Sequence, residues 1–186
     1  MKISTNHPLR QLFRLLTERN LAGKLGYEDP DVIGYLTDLL TDFTHIDNVY
    51  KIRSVFGERV EEVAELLLEG DLLQRATSID REREVHKHIG DYTLFIAGLF
   101  PEAIQRWRGR RIQLSRDAMI DYVKTGKRSY HIVAEFAFGG YGDVAPLYRK
   151  LSEQFELCVF GLGYVRSDLD QLRRPEFRRV INALVE

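Results

Sequence analysis

The segment that most constrains how this chain can fold is residues 81–102, REREVHKHIGDYTLFIAGLFPE. Its second half, residues 92–100, is apolar almost all round, so as a helix it must be covered on every side. Its first half is charged and fits a helix with one wet face. Such a helix needs neighbours on all its flanks at one end. At the junction of the two halves stand His86, His88, Gly90, Asp91 and Tyr92, the densest group of chemically capable residues in the chain.

The rest of the chain reads with helical period. Residues 9–22 place Leu9, Leu12, Phe13, Leu15 and Leu16 on one side, with Asn6 and Pro8 at the start and breaks at Gly23 and Gly26. Asp29-Pro30 is a cap followed by a first-turn proline, and the seam Ile33, Leu36, Leu40, Phe43 follows it. Residues 45–56 predict a short continuation of that helix or a separate one, ended near Gly57. Residues 58–75 predict another, with Val60, Val63 and Leu67 inward and Glu61, Glu62, Glu65 and Glu69 mostly outward. Ser78 or Asp80 caps the central helix, which Pro101 should end. After a basic connector at 107–111, Ser115 and Asp117 open a helix to about Phe138, with the seam Met119, Val123, Gly126, Tyr130, Val133, Ala137. A glycine-rich break follows. Asp143 then caps one long helix with the seam Leu147, Leu151, Phe155, Cys158, Leu162, Val165, and Pro175 sets off a last helix at 176–185.

No stretch alternates with period two, so no strand is expected. The expectation is a single-domain, all-α bundle of seven or eight helices around a central buried helix at about 81–100. Gly90, Gly98, Gly126, Gly161 and Gly163 fall inside helical patterns, where each costs about 1 kcal/mol against alanine. Close helix crossings, or room for a ligand, would explain them.

Composition narrows the function. The 186 residues carry 27 basic and 28 acidic side chains, for a net charge of −1. That balance offers no long-range attraction to nucleic acid or to an anionic membrane. The single cysteine, Cys158, excludes an internal disulfide framework and a cysteine-based zinc site. The apolar runs fall far short of a bilayer span, and the N-terminus does not read as a signal peptide, so a cytoplasmic protein is expected.

Glu84, His88 and Asp91 recur at i, i+4, i+7 and share one helical face. Carboxylate, imidazole and carboxylate on one face suit a metal ion, or a histidine held in one tautomer for acid–base work. They equally suit ordinary helical charge pairing. Asp91, among Ile89, Tyr92, Leu94 and Phe95, should be buried and in need of a partner; Arg128, Lys127, His88 and Tyr130 are the candidates. A second group lies at Lys127, Tyr130 and His131. His131 and Glu135 continue a polar stripe that fits a solvated face. There is no Glu-x-x-His pair, no His-Glu-x-x-His, no Gly-x-Ser-x-Gly and no phosphate loop, so no metal set or cofactor is assigned.

The blocks at 81–102 and 121–130 (DYVKTGKRSY) resemble a group of uncharacterised bacterial helical proteins, in which HxHIGDYxLFxxGxxPE precedes YxxxGKRSY. The resemblance spans roughly residues 30–137. It implies a bacterial, cytoplasmic, all-α protein and brings no activity with it. Two readings follow. The first is a non-enzymatic structural or protein-interaction module, acting as a homo-oligomer or with a protein partner. The second is a small-molecule or metal-binding protein, an enzyme among the options, with a polar pocket of Glu84, His88, Asp91, Tyr92, Lys127, Tyr130 and His131. The first is preferred, because no motif meets a catalytic geometry.

Overall fold

The computed structural model describes residues 7–52, 63–70, 78–104 and 117–172. The described residues form an all-α bundle: α1 Pro8–Glu18, α2 Pro30–Asp42, α3 Ile46–Val49, α4 Val63–Gly70, α5 Ile79–Leu99, α6 Asp117–Glu135, α7 Ala145–Glu153 and α8 Phe155–Leu172. Among the described residues there is no strand, and no helix is long and apolar enough to cross a membrane.

Local chemistry sets the helix starts. Pro8 opens α1 under the His7 ring, whose Nδ1 accepts the Leu9 N–H at 3.2 Å. The Asp29 carboxylate accepts from the N–H groups of Asp31 and Val32 at 3.0 and 3.2 Å, with Pro30 behind it. Ser78 caps α5 through the Arg81 N–H at 3.1 Å, and α5 ends at Leu99, two residues before Pro101.

Helix α5 is the axis of the molecule, packing against α2, α4, α6 and α8. Every residue from 91 to 100 is buried. Glycines set how closely its neighbours approach. A methyl on Gly98 would overlap Leu162 of α8, and one on Gly90 would overlap the Tyr130 ring of α6. Gly161 likewise admits Leu21, and Gly126 admits Thr93 and Phe155, so close crossing explains these four positions.

Several expectations are corrected. The first helix does not stop cleanly at Gly23: α1 runs into a π-helical segment, Arg19–Lys24, closed by Gly26 at φ 65°. Leu15 is 65% exposed, because the helix turns Phe13, Leu16 and Thr17 inward instead. Among the described side chains of α4, Leu66, Glu69 and Gly70 are buried, while Leu67 and Leu68 face outward. The expected Val63–Leu67 seam is thus rotated, and Glu69 lies on the inside. Ala137 is exposed beyond the end of α6. The long helix expected from Asp143 is two helices. Val144 stands at the cap position, and the chain breaks at Gln154, where its N–H reaches the Lys150 carbonyl at 2.8 Å. The helix expected at 45–56 stops at Val49. The cap at Asn6, residues 53–62 with Val60, Glu61 and Glu62, residues 71–75, the connector at 107–111, Ser115 and the last helix at 176–185 lie outside the described residues.

Candidate functional site, a buried carboxylate among tyrosines

Asp91 is 3% exposed, on the face of α5 that meets α2 and α6. Its Oδ1 accepts hydrogen bonds from the Tyr35 hydroxyl of α2 and the Tyr130 hydroxyl of α6, the latter at 2.8 Å. Its Oδ2 accepts from Lys87 Nζ at 2.5 Å, one turn back on α5. One carboxylate therefore joins three helices. The rings pack as well as bond: Tyr148 of α7 lies 5.7 Å from Tyr35 and 5.9 Å from Tyr130 between centroids, and Phe155 closes the Tyr130 side at 5.9 Å.

The electrostatics follow from this geometry. Burial by itself would raise the Asp91 pKa. The Lys87 ammonium and the Tyr35 hydroxyl outweigh burial and hold it below the ordinary carboxylate value. Burial opposes the charge on Lys87 too, but Asp91 keeps it protonated. Burial and the Asp91 charge push the Tyr35 and Tyr130 phenols well above their usual range. Near neutral pH the group is one anion, one cation and two phenols that hold their protons.

Beside it lies an aromatic layer. His88 is 1% exposed, with its ring 6.1 Å from Phe43 and 6.1 Å from Tyr92. Burial, reinforced by the charge of Lys51, brings its pKa down to about 3, so the imidazole is neutral. It bonds to the Val49 backbone, and Nδ1 has no partner among the described residues. The Tyr92 hydroxyl is tied to Tyr50 and Tyr122, and burial pushes its pKa far up.

The seven residues selected from sequence are thus sorted into different places. Asp91 and Tyr130 meet directly. His88 and Tyr92 sit in the adjoining layer. Glu84 points outward and pairs with Arg81 at 3.3 Å. Lys127 pairs with Glu156 of α8 at 2.9 Å, and His131 is exposed on the outer side of α6. Of the partners expected for Asp91, Tyr130 alone bonds to it; Arg128 is exposed and Lys127 is engaged elsewhere. Lys87 and Tyr35 do so instead. Lys87 was findable as the i, i+4 cation of Asp91. Tyr35 carries no local signal, since only the packing of α2 on α5 brings it there.

A second buried carboxylate, Asp168 of α8, plays a similar part at the other end. It accepts from Asn20 Nδ2 at 2.8 Å and Arg19 Nη2 at 3.1 Å, with Lys24 Nζ at 3.6 Å. These three donors come from the π-helical segment, whose extra residue per turn gathers them on one side. Among the described residues no group of three or more His, Cys, Asp or Glu side chains is placed to hold a metal ion. Comparison of the chain with protein-family models, curated proteins and solved structures gives no match.

Proposed function

We propose that this chain is a non-enzymatic helical protein that acts through contact with other protein surfaces, and that its central polar group is a structural tie. The observation that carries the proposal is the engagement of both Asp91 oxygens by donors from within the bundle. A general base needs a lone pair facing its substrate and a pKa near the working pH. Both Asp91 oxygens are occupied by internal donors, and its pKa is displaced away from neutrality. The phenols are displaced upward, so they are poor acids near neutral pH. The residues with the best claim to chemistry are spent on joining α2, α5 and α6.

The surface reading rests on α8. Phe160 is 67% exposed and Tyr164 45%, one helical turn apart. Large exposed side chains grouped on one face are what protein contacts use, and tyrosine is prominent among their energetic centres. A second copy of the chain is the simplest partner. The bacterial, cytoplasmic setting belongs to the same proposal and is supported by the two sequence blocks at 81–102 and 121–130.

Light scattering over a concentration series tests the contact. The expected result is a mass that rises above the 21.7 kDa of one chain and returns to it in the Phe160→Asp, Tyr164→Asp double variant. A wild-type mass that stays at one chain throughout, unchanged by the substitutions, counts against self-association.

A further inference from the structure

The glycine-rich link between α6 and α7, residues 136–144, is held to α5 by one side chain. Ala137, Phe138, Gly139, Gly140, Asp143 and Val144 are all exposed. The link bonds mostly to itself: the Tyr141 N–H reaches the Phe138 carbonyl and the Val144 N–H reaches that of Tyr141, both at 3.2 Å. Phe136 and Phe138 face one another with ring centroids 5.9 Å apart. Among the described residues, Tyr141 makes the link's only hydrogen bond and only ring contact with α5. Its hydroxyl donates to Asp80 Oδ1 at 2.7 Å, and its ring centroid lies 3.9 Å from the Arg83 guanidinium. Asp80 and Arg83 are three residues apart and neighbours on the helix surface.

Arg83 is an unusual group to find under such a link. It makes no ion pair among the described residues, and its Nε is buried without a hydrogen-bond partner. Tyr141 on one element and Tyr148 of α7 on another, the latter at 5.5 Å, stand where an acid would be expected. Tyr148 in turn packs on Tyr35 and Tyr130, the two phenols bonded to Asp91. The link has glycine on both sides of its latch. Gly139 is left-handed at φ 58°, and a methyl on Gly139 or Gly140 would meet nothing within 4 Å. Gly142 follows the tyrosine directly. A segment with glycine at both ends and one tie between them opens far more readily than the bundle unfolds.

We propose that residues 136–144 form a strap, latched by Tyr141 onto Asp80 and Arg83, which swings out about Gly139 and Gly142 and so controls whether the Arg83 guanidinium faces solvent. Opening breaks one hydrogen bond and one ring contact with α5 and leaves α6 and α7 in place. It uncovers a planar cation that has no acid partner, with Tyr148 behind it. The strap is separate from the α8 contact, and its failure would leave that proposal untouched.

Arginine labelling of the full chain with phenylglyoxal, mapped by peptide mass, is the test. Arg128, exposed on α6, is the internal reference, and thiol labelling of the buried Cys158 reports any loosening of the whole bundle. In the wild type, Arg83 should react several-fold more slowly than Arg128. Tyr141→Ala should bring the two rates together while Cys158 stays protected. Tyr141→Phe loses the bond to Asp80 but keeps the ring over Arg83, so its rate should fall between. Hydrogen exchange of the wild type supplies the second reading. The Tyr141 and Val144 amides should share one protection, well below that of Leu151 in the buried face of α7. Arg83 reacting as fast as Arg128 in the wild type, or no faster in Tyr141→Ala, would overturn the strap. So would Cys158 becoming reactive together with Arg83, or Tyr141 and Val144 amides that exchange only as slowly as Leu151.

Discussion

A methyl group at position 90 should destabilise the protein where helix propensity alone says it should stabilise it. In an open helix, Gly→Ala adds up to about 1 kcal/mol. At Gly90 the new Cβ would fall 2.6 Å from both Cδ1 and Cε1 of Tyr130. The ring is fully buried and has no easy retreat: its hydroxyl is bonded to Asp91, and Tyr148 and Phe155 pack on it. Relief requires α5 and α6 to part or the Tyr130–Asp91 bond to stretch. Overpacking of this kind costs about 1–3 kcal/mol, and a weakened hydrogen bond to a buried charge adds about 1.5–3 kcal/mol. Against the propensity gain, the net expectation is a loss of about 3 kcal/mol. Gly34→Ala in α2 is the matched control, because nothing lies within 4 Å of its added methyl. It should gain up to about 1 kcal/mol. Urea unfolding of both variants beside the wild type decides the matter. If Gly90→Ala is stabilised to the same extent as Gly34→Ala, the close approach of α5 to α6 is wrong.

Other outcomes follow from the same geometry. His88 is neutral in the folded chain down to about pH 3, while an unfolded histidine takes up a proton near pH 6.5. The unfolded state therefore binds more protons between these values, and stability should fall with acidity by about 1.4 kcal/mol per pH unit there. Unfolding free energies of His88→Phe against pH should show a shallower slope in that window; an unchanged slope would exclude His88 as its source. Burial pushes the Cys158 thiol up to about 12, so the native chain should resist thiol reagents until unfolded, and rapid native labelling would contradict its placement. Asp168→Asn leaves Asn20 and Arg19 facing a neutral amide and should cost about 2 kcal/mol in thermal or urea unfolding; a neutral effect would mean the π-helical segment is held by packing alone.

The bundle was legible where local rules and burial agree. Ser78 and Asp29 are caps that act within their own helix, and residues 92–100 are apolar on all sides, which leaves no choice of face. Where a helix has two plausible apolar faces, its neighbours choose. Leu15 and Leu16 are adjacent in sequence, and only contact with the rest of the bundle decides that Leu16 goes in. The break at Gln154 falls within an unbroken apolar period and carries neither proline nor glycine, so nothing local marks it. The site divides in the same way. Asp91 was recognisable as a carboxylate in apolar company, and its lysine lies one turn away. Tyr35 is 56 residues distant in the chain, and the meeting of α2 with α5 brings it to the carboxylate. Glu84 and His131 share helices with the polar group but point elsewhere, because helical spacing fixes which residues share a face and not what that face meets.

The central claim is that Asp91 ties the bundle together as a charged group. Urea unfolding of the wild type and Asp91→Asn, measured from neutral to acid pH, tests it most directly. Because Asp91 has its pKa lowered on folding, its contribution is complete above the unfolded value of about 3.9 and fades as the pH falls through its folded value. The expected result is a deficit of about 3–5 kcal/mol for the variant near neutrality, the cost of breaking a buried pair, which narrows as acid protonates Asp91 in the wild type. A variant as stable as the wild type at neutral pH, or a deficit that does not change with acid, would contradict the account.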